Sequence, residues 1–115
     1  PVWMDIRQSD TLQKNSAREE KDERHICPLQ LEVIKRCVEL WTNPNDIVLD
    51  PFGGIGSVPF VALGLGRRAI GIELKSSYYK QMVANAEQAD KSFNDSTSAI
   101  GEQMNLSELF SSKKE

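Results

Sequence analysis

The sequence predicts an α/β fold in which a small parallel sheet carries flanking helices. Two short runs, Ile47-Val48-Leu49 and Ala69-Ile70-Gly71-Ile72, are too apolar to alternate as one-sided strands do, which predicts a parallel sheet covered on both faces. Helical periodicity precedes, separates and follows them, the order that builds strand–helix–strand units. Between the first strand and its helix lies Asp50-Pro51-Phe52-Gly53-Gly54-Ile55-Gly56-Ser57, an acid followed by glycines. Strand, glycine turn and helix N-terminus in that order make the ligand-cradling corner of doubly wound sheets, so the fold reads as partial Rossmann-like.

Val2 to Ile6 reads as a strand, with Trp3 inside it. Ser16 to Arg24 is a dense mixed-charge run, the pattern of a solvated loop. Pro28 forces Cys27 toward extended backbone and then suits a helix's first turn. Leu29 to Trp41 is the clearest helix: Leu31, Ile34, Val38 and Trp41 share a face, and Glu32, Lys35, Arg36 and Glu39 hold the other. Thr42 to Asp46 is a turn, Ile47 to Asp50 a strand, and Ser57 the expected N-cap of a helix to Leu65. Pro59 fits that helix's first turn, and Gly64 and Gly66 bracket its end. Ala69 to Glu73 is the second strand. A third helix follows Ser76 or Ser77, with Tyr79, Met82, Val83 and Ala86 on one face and the tyrosines packing. After about Asp90, Ser, Asn, Asp and Thr dominate, which predicts a flexible linker and tail.

A chain of 115 residues suits one domain at most. A net charge of −3 supplies no global positive field, although a basic groove can sit inside a near-neutral total. Cys27 and Cys37 are too few for a disulfide framework and read as reduced thiols, which predicts a cytoplasmic protein. With His25 they match no zinc spacing, so no metal is expected. No apolar run approaches the ~20 residues of a membrane span. The chain opens on Pro1 with a strand already under way, and so reads as the end of something longer.

Three ligand classes compete for the corner. A nucleoside triphosphate needs a lysine after the glycines, and none follows Gly56. A dinucleotide needs a third glycine where helix packs on strand, and Pro59 stands there. The third class is a nucleoside without phosphates, S-adenosylmethionine. An acid at the strand end, Asp50, suits its cationic character, and Gly53, Gly54 and Gly56 let it pass the backbone. A second acid at the next strand end, Glu73, follows at roughly the 20-residue offset of nucleotide folds, where it can accept from both ribose hydroxyls.

The stretch from Asp50 to Ser57 resembles the cofactor motif of the DNA amino methyltransferases, Asp-Pro-Phe-x-Gly-x-Gly-Ser/Thr. These enzymes modify adenine N6 or cytosine N4. Arg68 to Glu73 is similar to their next motif, which ends in the ribose-binding acid. His25-Ile26-Cys27-Pro28-Leu29-Gln30 before a helix resembles their second cofactor segment. The likeness runs from Trp3 to Glu87, and Trp3-Met4-Asp5-Ile6 resembles a stretch of phage and prophage members.

The resemblance implies an incomplete S-adenosylmethionine-dependent methyltransferase fold. It places His25, Ile26, Cys27 and Gln30 along the methionine half of the cofactor, Asp50, Pro51, Phe52, Gly53, Gly54, Gly56 and Ser57 at the turn with Phe52 packed on the cofactor, and Glu73 on the ribose. The family's catalytic Asp/Asn/Ser-Pro-Pro-aromatic motif is not found in these 115 residues. In the permuted arrangement it precedes the others, which would put it upstream of Pro1. The expected organisation is a strand and charged loop over 1–24 continuing a missing part, a cofactor-binding half-domain over 25–90, and a polar flexible tail over 91–115. Expected partners are double-stranded DNA through the full-length protein, the missing N-terminal catalytic part, and a second copy in a homodimer. The fragment alone is expected to be inactive. The competing readings are a methyltransferase of RNA or small molecules, a non-catalytic prophage remnant or partner subunit, and a dinucleotide oxidoreductase.

Overall fold

The computed structural model describes residues 2–12 and 27–111. The charged run over 16–24 and the candidate ligand residues His25 and Ile26 lie outside the described residues. The elements run α1 (Leu31–Trp41), β1 (Ile47–Asp50), α2 (Ser57–Gly64), β2 (Arg68–Gly71) and α3 (Ser76–Ser111).

Helix α1 starts two residues later than the periodicity suggests, with Gln30 in extended backbone as its N-cap and Pro28 before the first turn. No side chain caps it. Instead the Leu31 N–H donates to the Asp10 carbonyl, so the N-terminal segment satisfies one of the helix's free donors. Residues 2–7 are not a strand; no neighbouring strand pairs with them among the described residues. Ile34 and Val38 bury against Val61 of α2, with Leu31, Val58, Phe60 and Leu65 completing the cluster. Each fully buried aliphatic chain contributes about 1.5–3 kcal/mol. Trp41, expected on this face, is 84% exposed. Eight-residue α2 is about 12 Å long, and beyond Val38 the end of α1 stays exposed at Leu40 and Trp41.

Strands β1 and β2 pair in parallel, from Ile47 opposite Arg68 to Asp50 opposite Gly71. The second strand ends earlier than expected, yet the chain stays paired: Ile72 N–H donates to the Asp50 carbonyl, and Gly53 N–H to the Ile72 carbonyl. Helix α2 packs against both strands. The expectation of cover on both faces is not met among the described residues. Ile47, Leu49, Ile70 and Ile72 share the other face and are about half exposed.

Gly56, not Ser57, is the N-cap of α2. Its φ of 88° is left-handed, which serine adopts at a cost and glycine does not, while Ser57 becomes the first helical residue and is buried. Arg67 ties the helix exit to the turn before β1. Its guanidinium donates to the Leu65 carbonyl at 2.7 Å, the Thr42 carbonyl at 3.0 Å and Thr42 Oγ1 at 3.1 Å.

Helix α3 packs on α2. Met82 and Ala89 are buried, whereas Tyr79 and Val83, expected on the same face, are exposed. Where composition predicts a flexible segment from residue 91, the chain is helical through Ser111. The polar side chains fold back on their own helix. Ser92, Ser96, Thr97 and Ser98 each donate to the carbonyl four residues earlier, so they do not compete for the backbone N–H groups that make the helix.

Candidate functional site

The end of β1 opens into a cleft of about 350 Å³. Cys27, Pro28 and Leu29, ahead of α1, line it together with Ile34; Asp50 and the turn residues Phe52, Gly53, Gly54 and Ile55 line it from β1. Ser57 and Val58 of α2 and Tyr78 of α3 also line it. Among these residues Asp50 brings the only carboxylate, and none brings an ammonium or guanidinium.

The turn is held from within and from behind. Asp50 Oδ1 accepts from the Phe52 N–H at 3.0 Å, which closes the first bend. The Glu73 carboxylate bridges the two strand exits: Oε2 accepts from Gly54 N–H and Oε1 from Lys75 N–H, each at 2.8 Å. Each oxygen keeps a second lone pair, so Glu73 can brace the turn and still accept from a ligand hydroxyl. Asn85 of α3 donates to the Ile55 carbonyl at 2.7 Å. Gly54, with φ of +53°, faces open space: nothing stands within 4 Å of where its Cβ would be.

Of the residues expected from sequence, the cleft therefore brings together Cys27, Asp50, Phe52, Gly53, Gly54 and Ser57. Glu73 is joined to it through Gly54. Gly56 lies behind the turn against Met82, and Pro51 and Gln30 stand next to lining residues without lining the cleft themselves. Sequence reasoning assigned Tyr78 to packing, and the structure puts it on the cleft wall with the Lys75 ammonium 4.6 Å from its ring centre. It missed the bracing role of Asn85 altogether, which nothing in the helical periodicity distinguishes from a surface amide. Phe52 stands 89% exposed at the mouth.

A larger hollow of about 500 Å³ lies where residues 5–10 meet α1. Three of its charged side chains are paired with one another, Arg36 with both Asp5 and Glu32, whereas the cleft at β1 is the one that the glycine turn opens into.

A family model described as DNA methylase matches residues 2–84. The type II methyltransferase M1.MboII of Moraxella bovis is 42% identical over 57 residues, 50% of this chain and 22% of its own length. The DNA adenine methyltransferase YhdJ of Escherichia coli K12 is 43% identical over 58 residues, 50% of this chain and 20% of its own. A crystal structure of an M1.HpyAVI-SAM complex aligns with a TM-score of 0.50 and 35% identity, over 55% of this chain and 32% of that one. The chain spans about a fifth of the length of these curated relatives.

Proposed function

The chain belongs to the DNA methylase family, and from that premise we propose that it is the S-adenosylmethionine-binding part of an enzyme that methylates an exocyclic amine of DNA, adenine N6 or cytosine N4. The observation that carries the proposal is the cleft at the end of β1. Its acid is Asp50, its glycine Gly54 opens into it, and a second acid, Glu73, bonds to that glycine from the next strand. Those residues fit a nucleoside that carries a cationic, amine-bearing end. The cofactor, when bound, supplies an electrophilic methyl group.

The residues of this chain bind and orient. Asp50 faces the cationic end, Gly54 admits the carbon skeleton, and Glu73 accepts from the ribose with its remaining lone pairs. Cys27, Pro28 and Leu29 form the opposite wall, with Gln30 beside them, and Phe52 closes the mouth. His25 and Ile26 extend that wall in this proposal. None of these residues is asked to move a proton. The target amine is polarised and placed by the family's separate Pro-Pro-aromatic motif, which belongs to another part of the polypeptide. The half-exposed row Ile47, Leu49, Ile70 and Ile72 supports such a part packing on the sheet. Double-stranded DNA is then the substrate of the whole protein and the cytoplasm its place of action.

Calorimetric titration of the chain with S-adenosylhomocysteine tests the binding proposal. Saturable heat is expected, and Asp50→Asn weakens binding about tenfold or more, the worth of a charge-assisted contact of about 1.5–3 kcal/mol. No heat from a folded chain, or undiminished binding by the variant, contradicts it.

A further inference from the structure

Two glycines of the turn and one of β2 converge on one side chain that does not line the cleft. Met82 lies one helical turn beyond Tyr78 on α3 and is 5% exposed. A Cβ at Gly53 would stand 2.7 Å from its sulfur, and a Cβ at Gly71 2.6 Å from the same sulfur. At Gly56 a Cβ would meet the Met82 Cγ at 2.8 Å and its Cα at 3.1 Å. The three distances to the side chain are shorter than real Cβ contacts, and the one to its Cα is tight. Backbone conformation does not explain the first two glycines, because neither Gly53 nor Gly71 has a positive φ. The space that Met82 occupies does so first, at the shortest distances, with the Ile72 carbonyl oxygen 3.2 Å from a Cβ at Gly53 and Pro59 Cγ 3.2 Å from one at Gly71.

We propose that Met82 is a positioning residue for the cofactor turn, its thioether forming the floor on which the Gly53-Gly54 backbone rests. Gly54 is then the glycine that faces the ligand, and Gly53, Gly56 and Gly71 are the glycines that face the floor. The floor is stiff although methionine is flexible. Gly56 approaches the near end of the side chain, and the sulfur at its far end lies between the Gly53 and Gly71 backbones. Displacement also spreads along the turn, since Gly53 N–H donates to Ile72 and Gly53 carbonyl accepts from Gly56. Positions 53 and 82 therefore act as one unit, and the ligand-facing edge of the turn reads out their combined size.

The inference rests on the cofactor reading for its affinity arm and on none of it for its spectroscopic arm. The full chain is compared with Gly53→Ala, Met82→Ala and the double variant, at a temperature where each is folded. Gly53→Ala is expected to weaken S-adenosylhomocysteine binding at least tenfold and to shift the Gly54 amide resonance. The double variant is expected to bind at least fivefold more tightly than Gly53→Ala and to return the Gly54 resonance toward its original position. A merely structural Met82 leaves affinity and that resonance untouched in the folded variants. If the two single effects multiply with no recovery, the proposal is overturned. If the unaltered chain binds no S-adenosylhomocysteine, the cofactor reading fails and the Gly54 resonance alone decides, with recovery supporting the floor and its absence rejecting it. A double variant that folds where Gly53→Ala does not is the same recovery; two unfolded variants reject the proposal, because relieving the clash would have restored nothing.

Discussion

Glu73 is the residue on which the site's two halves meet. Its carboxylate accepts one N–H from the glycine turn and one from the chain leaving β2. A glutamine there keeps one acceptor oxygen but turns an NH2 toward the second backbone donor. The unpaired, part-buried donor costs about 1–3 kcal/mol, so Glu73→Gln is expected to lower the urea midpoint measurably and to weaken S-adenosylhomocysteine in the same variant. A ribose role alone would weaken binding and leave the midpoint unchanged. The acid was legible in the sequence because it ends an apolar run at a nucleotide-fold offset from Asp50. The brace was not legible, because a hydrogen bond between residues 54 and 73 depends on how two strand exits are set in space. The same holds for the glycines. Their spacing announced a turn, but only the packed structure separates Gly54, which faces open space, from Gly53 and Gly56, which face Met82.

At the scale of elements, the β1–α2–β2 unit is short, four residues in each strand and eight in the helix, and its ends need fastening. Arg67 supplies this with three donors to Leu65 and Thr42, joining the exit of α2 to the end of α1. Arg67→Ala is expected to cost about 2 kcal/mol in chemical denaturation, while Arg68→Ala, whose side chain makes an exposed bond to the Asn45 carbonyl, costs less than about 0.5 kcal/mol. Equal effects at the two positions would dismiss the fastening role. Sequence reading treated the pair as turn and surface charges, and no local pattern tells the two apart. Strand β1 and helix α2 were legible because hydrophobic run, glycine turn and the glycine after the helix agree there, although the N-cap fell on Gly56 and not on Ser57. The length of α3 was hidden because Ser, Thr, Asn and Asp signal turns when their side chains compete for backbone groups. Here the hydroxyls bond back to their own helix and the competition is absent.

At the scale of the whole molecule, the N-terminal segment is joined to α1 by a latch that pH should open. The Arg36 guanidinium grips both oxygens of Asp5, at 3.1 and 2.6 Å, while its Nε donates to Glu32. The cation also lies 5.2 Å from the ring centre of Trp3. The hydrogen bond from Arg36 lowers the Asp5 carboxyl below its ordinary 3.8, and the bonds to Asp5 first, then Glu32, raise the Arg36 guanidinium still higher, so it stays charged throughout. The direction of the pH effect follows from the carboxyl. Asp5 binds its proton less readily when latched than when free, so the latch is fully formed above about pH 4 and is lost as pH falls through the lowered value. The pair is exposed, and such pairs add little to global stability, so acid should release the segment before it unfolds the chain. Trp3 reports this directly once the second tryptophan is removed as Trp41→Phe, an exposed site. Its emission is expected to change with a midpoint below pH 4, ahead of any loss of helical signal. Asp5→Asn should show the released emission already at neutral pH. Coincident loss of emission and helix, or a neutral-pH emission unchanged by Asp5→Asn, would mean that apolar contacts of residues 2–12 and the Leu31–Asp10 bond hold the segment without the latch.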